Sequence, residues 1–149
     1  MRKNTCLLLG VALIVSQVAC TADTSQTKTP AATSHIELDI FSGRPNPAWD
    51  LSAADTATLT GMIGSLPPSS PVYLPTPLGY RGFLVSVSEP ELRPVATMRA
   101  YQGVVEYQGY ETRYYADPDK QVERWLLATA RPHIDRQLYD SLLAEIGEQ

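Results

Sequence analysis

The sequence predicts an α+β domain: a mainly antiparallel sheet of about four strands with three helices packed on one face, in the order β-α-β-β-β-α-α. Three observations predict it. Residues 35–41 and 82–88 alternate apolar and polar side chains with a period of two, the pattern of half-buried strands. Three other stretches, opening near Ser52, Asp117 and Asp135, repeat apolar residues every three or four positions, as a helix does. The strands also gather between the first helix and the last two instead of alternating with helices.

In the first strand, Ile36, Leu38 and Ile40 point one way and His35, Glu37 and Asp39 the other. Ser42-Gly43-Arg44-Pro45-Asn46-Pro47 is turn chemistry, and Trp49 follows as an anchor for it. Ser52 is placed to cap a helix, with Asp55 in the capping-box position. Leu59, Met62, Ile63 and Leu66 give that helix its apolar stripe, and Pro67-Pro68 stops it. A proline-studded loop then runs to the second strand, where Phe83, Val85 and Val87 share a face.

Residues 95–107 read as a third strand interrupted at Gly103, the mark of a bulge or a turn. Gln108-Gly109 reads as a hairpin turn before a fourth strand at 111–115. Asp117 is expected to cap the next helix, with Pro118 in its first position, Val122, Trp125 and Leu126 on its buried stripe, and Pro132 at its end. The last helix starts near Asp135 and buries Leu138, Leu142 and Ile146. Both Trp49 and Trp125 are expected in the core.

Ahead of the domain, Arg2 and Lys3 precede an apolar run from Leu7 to Val15. That run is too short for a bilayer span, which takes about 20 residues, and fits the apolar region of a secretory signal peptide. It ends in Val18-Ala19-Cys20, which resembles the lipobox of bacterial lipoproteins. The resemblance implies cleavage before Cys20 and a lipid on that thiol. It also implies a membrane partner and an exported, lipid-anchored place in the cell envelope, at the outer membrane if the host is Gram-negative. Residues 1–19 are then the signal peptide, 20–34 the lipidated cysteine and a flexible Thr/Ser/Ala-rich tether, and 35–149 the domain. Cys6 leaves with the signal, so the domain holds no disulfide and no thiol chemistry.

Beyond Cys20 the chain carries ten basic and sixteen acidic residues, a net charge of −6. Such a balance argues against nucleic acid as a partner. Phe-Ser-Gly-Arg-Pro-Asn-Pro-Ala-Trp at 41–49 and Leu-Gly-Tyr-Arg-Gly-Phe at 78–83 resemble the two motifs of an uncharacterised bacterial family. That resemblance supports the domain boundaries and implies no activity.

The chemistry-bearing motifs are few. The chain lacks Gly-x-Ser-x-Gly, His-Glu-x-x-His and a phosphate-binding glycine loop. His35, Glu37 and Asp39 share a strand face at about 7 Å spacing, poor for a metal, and read as a solvated polar face from which Asp39 can join Arg44 in a network. No cofactor, metal or catalytic residue is expected. His133 reads as a surface or capping residue. Tyr101, Tyr107, Tyr110, Tyr114 and Tyr115 read as sheet packing or as a binding patch.

The strongest candidate site comes from topology. The connection from Pro67 to Gly79 is long enough to recross the sheet, so the first two strands are expected to run antiparallel. Their loops then meet, with Arg44, Asn46, Tyr80 and Arg81 on a shared rim suited to a carboxylate or phosphate. Alternatively these arginines pair with the domain's own acids. The function expected is a non-enzymatic envelope lipoprotein that binds an anionic ligand or protein partner. The alternatives are a hydrolase of envelope polymers and a purely structural assembly protein.

Overall fold

The computed structural model describes residues 32–74, 77–88 and 96–147; the expected signal peptide, Cys20 and the tether up to residue 31 lie outside them. The first strand, β1 (Thr33–Leu38), starts two residues ahead of the expected boundary and turns Ser34, Ile36 and Leu38 inward. Ile40 and Phe41 lie beyond it, in the turn. The chain folds straight back as β2 (Ala48–Asp50), an antiparallel strand in which Trp49 sits opposite Ile36. Turn residues dominate this stretch, so its three-residue strand carried no alternation to read.

Helix α1 (Ala53–Ser65) starts as its cap predicts, with the Ser52 hydroxyl accepting from the Asp55 amide at 3.1 Å and donating to the Asp55 carboxylate at 2.7 Å. It buries Thr56, Leu59 and Ile63 and ends before Pro67. Next comes β3 (Pro68–Ser69), a second strand absent from the sequence reading. A proline lacks the amide that a central strand needs, and β3 accordingly lies at the sheet's edge.

Then follow β4 (Phe83–Ser88), β5 (Ala96–Tyr101), β6 (Val104–Gln108) and β7 (Thr112–Ala116). The expected third strand is two strands, β5 and β6. Gln102 and Gly103, at φ +50° and +74°, form the two-residue turn between them. Two positive φ angles in a hairpin are the geometry that matches the twist of paired strands. The described sheet has seven strands, not four, in the order β2-β1-β4-β5-β6-β7-β3, with every pairing antiparallel.

The register builds the core directly. Trp49, Ile36, Val85, Met98 and Tyr107 form one row across the strands, and Leu38, Phe83, Ala100, Val105 and Tyr115 form the next. Most of these side chains are buried, and the three helices close over them.

Helix α2 (Gln121–Ala130) begins three residues later than the proline at 118 suggested. Asp117 still caps it, from a distance: its carboxylate accepts the amides of Gln121 at 2.9 Å and Val122 at 2.8 Å. The reach is made by a turn through Pro118 and a left-handed Lys120. Helix α3 (Arg136–Gly147) has Asp135 accepting the Leu138 amide and buries Leu142 and Ile146, with Leu138 half-buried.

Trp49 is buried as expected; its indole donates to Thr129 and stacks on the exposed His133 at 5.4 Å. Trp125 is only half-buried against the core. The deepest positions of its helix go to Leu126, Leu127 and the charged Glu123.

Candidate functional site

Strands β1 and β4 are antiparallel, with Leu38 opposite Phe83, so the loops at 39–47 and 77–82 meet at one end of the sheet. This is the juxtaposition the long connection implied. It brings the four expected residues to that end, but they do different work.

Asn46 is a brace. Its side-chain oxygen accepts the amides of Ile40 at 3.1 Å and Phe41 at 2.7 Å, and its amide group donates to Glu37 at 2.8 Å. Four turn residues are thereby held on the strand that precedes them. Leaving two backbone donors unsatisfied would cost roughly 1–3 kcal/mol each, which is why a side-chain amide stands here.

Arg81 is a clamp. Its guanidinium donates to Asp39 at 3.0 and 2.5 Å, to the Phe41 carbonyl at 3.1 Å and to the Gly79 carbonyl at 3.0 Å. The bond to Asp39 raises the arginine's pKa further, so it stays charged. Arg99 of β5 approaches the other Asp39 oxygen at 3.6 Å. Asp39 therefore pairs with Arg81 and Arg99, not with Arg44, and it is buried. The polar strand face is solvated only at its His35 end, where His35 meets Asp50 at 2.7 Å.

Tyr80 leaves the rim altogether. Its ring is buried, edge-on to Phe83 and Tyr101, and its hydroxyl donates to Glu123 at 2.8 Å. Arg44 alone projects outward. It is exposed, its guanidinium carbon lies 3.4 Å from the Phe41 ring centroid, and among the described residues it makes no ion pair. Leu78 stands 93% exposed in the adjoining loop.

The sequence reading missed Glu123. This carboxylate is 2% exposed and accepts from the Gly103 amide at 2.9 Å as well as from Tyr80. Burial raises its pKa, opposed by those two hydrogen bonds and by Lys120. Burial first, and then the Glu123 charge, raise Tyr80; burial and Glu145 raise Tyr101. The cavity beside them is about 30 Å³, room for one water. The group thus ties α2 to the β5–β6 turn and to the 77–82 loop from inside. A single clue was readable: Glu123 sits one position after Val122, inside the helix's apolar stripe.

Of the five tyrosines, Tyr101 is buried, Tyr107 and Tyr115 pack on the core, and Tyr114 is half-buried. Only Tyr110 is free, at 94% exposure on the β6–β7 tip. Comparison of the chain with protein-family models, with curated proteins and with solved structures returned no match.

Proposed function

We propose that this chain is an envelope-anchored lipoprotein, held by a lipid on Cys20, whose domain binds an anionic ligand or the acidic segment of a protein partner without catalysis. The loops at 42–46 and 78–82 are its recognition surface. The observation that carries this reading is Arg44: an exposed guanidinium stacked on Phe41, without an acidic partner among the described residues, on a loop braced by Asn46 and Arg81. A preorganised arginine on an acidic domain loses little entropy when it meets a carboxylate or phosphate. Envelope placement rests on the signal segment and Val18-Ala19-Cys20; in a Gram-negative host the outer membrane is the expected address.

The test separates Arg44 from Arg81. Titration with inorganic phosphate and with succinate is expected to shift the amides of Gly43, Arg44 and Asn46 saturably in the wild type. In Arg44→Gln the shifts are lost while the fold is kept. Arg81→Gln instead lowers the denaturation midpoint, because its bonds hold the turn. Identical titrations in wild type and Arg44→Gln would remove Arg44 from the site.

A further inference from the structure

The recognition surface carries an apolar group as well as a cation. Arg81 gathers its two loops on one guanidinium. Nη1 donates to the Gly79 carbonyl at 3.0 Å and to the Ser42 hydroxyl at 3.5 Å, and Nη2 donates to the Phe41 carbonyl at 3.1 Å. Leu78 directly precedes Gly79, and Arg44 stacks on the Phe41 ring. The exposed leucine and the exposed guanidinium are thus carried by two segments that meet on a single side chain.

Leu78 is 93% exposed, yet the backbone that presents it is held. Tyr80, two positions on, is buried with its hydroxyl on Glu123. The Arg81 amide donates to the Asp39 carbonyl at 2.8 Å, and the Asp39 amide donates to the Gly82 carbonyl at 3.0 Å. The leucine is therefore set in place before anything binds. Covering it removes apolar surface from water at little cost in loop ordering.

We infer that the partner is a protein segment in which an acidic side chain stands close to an apolar one, the carboxylate pairing with Arg44 while the apolar side chain covers Leu78. This rests on the reading of Arg44 given above and names the ligand class for the same site. Charge complementarity selects the acid. Arg44 has no acidic partner among the described residues, whereas Asp39 already engages Arg81 and Arg99. One unpaired guanidinium takes one carboxylate through a bidentate bond. Free phosphate or a small dicarboxylate satisfies the cation alone and leaves Leu78 in water; a peptide serves both. In an extended segment, side chains two positions apart point to one face about 7 Å from each other.

The test follows the amides of Gly43, Arg44, Leu78 and Gly79 during titration of the protein. The probes are succinate and two acetylated, amidated peptides, Gly-Glu-Ser-Leu-Gly and Gly-Glu-Ser-Ser-Gly, whose blocked ends leave the Glu side chain as the only carboxylate. The wild type is expected to bind the leucine peptide about tenfold tighter than the serine peptide, the gain from partly burying two apolar side chains. In Leu78→Ser that gain is lost while the succinate Kd is unchanged, and in Leu78→Met it is kept. In Arg44→Gln all three probes weaken. Equal affinities for the two peptides in the wild type, or a gain that survives in Leu78→Ser, would overturn the inference; with succinate still bound through Arg44, either result leaves the reading of the site standing. The absence of a saturable shift with any probe would overturn that reading and this inference together.

Discussion

At the scale of single residues, the informative positions are polar groups taken out of water. Asn46, Arg81, Asp117 and Glu123 each satisfy backbone or side-chain partners in the interior or at its margin. Glu123 makes a prediction with a sign. Burial holds its folded carboxyl above the ordinary value of 4.5, so within that interval the folded chain binds more protons than the unfolded one. Its contribution to stability is therefore fully present below the ordinary value and is lost as pH rises through the folded one. Glu123→Gln keeps an acceptor for the Gly103 amide and removes the charge, with its NH2 donating to the Tyr80 oxygen in place of the bond that the hydroxyl donates in the wild type. The variant should gain on the wild type in denaturant midpoint as pH rises from 4 to 8; a difference that stays flat, or reverses, would show that the folded carboxyl is not raised. Sequence could not reveal this role, because a helical Glu looks solvated until its neighbours are known. Arg81 was equally ambiguous: its motif marked it, but only the antiparallel pairing of β1 and β4 put it against Asp39.

At the scale of elements, the sequence was legible wherever periodicity or a cap was strong. The alternation of β1 and β4, the Ser52 cap of α1 and the start of α3 after Asp135 all stand in the structure. The misses are short strands in proline-rich stretches, β2 and β3, where pairing is imposed by tertiary contacts rather than local propensity. The break at Gly103 was visible in the sequence, but choosing a turn over a bulge took the positive φ of Gln102, which sequence does not announce. Gly82 shows why the 77–82 loop sits where it does. Its φ is +101°, and a Cβ there would run into the Ala100 carbonyl and come within 2.8 Å of the Tyr101 Cβ. Gly43 also has positive φ, at +91°, but open space around it. Gly43→Ala should cost about 1–2 kcal/mol from backbone strain alone. Gly82→Ala should add a steric penalty on the order of 1–3 kcal/mol and loosen the recognition loop from β5. Equal costs in chemical denaturation would mean the loop yields without resistance.

At the scale of the whole molecule, antiparallel topology sorts the functional groups to two ends. The 39–47 and 77–82 loops share one end with the β5–β6 turn, while Thr33 and the β6–β7 tip lie at the other, and the α2–α3 corner packs through His133 on Trp49 of β2. The proposed function accordingly concerns one end of the sheet, where the 39–47 and 77–82 loops meet, and not the β6–β7 tip at the other. Photocrosslinking in intact membranes tests this most directly, with benzoylphenylalanine placed at position 78 or at position 110 of the full chain. Both sites are nearly fully exposed, so neither substitution disturbs packing. The account predicts from position 78 protein adducts that disappear in Arg44→Gln, and no such adducts from position 110. Adducts from position 78 that persist in Arg44→Gln, or the same adducts from both positions, would contradict it.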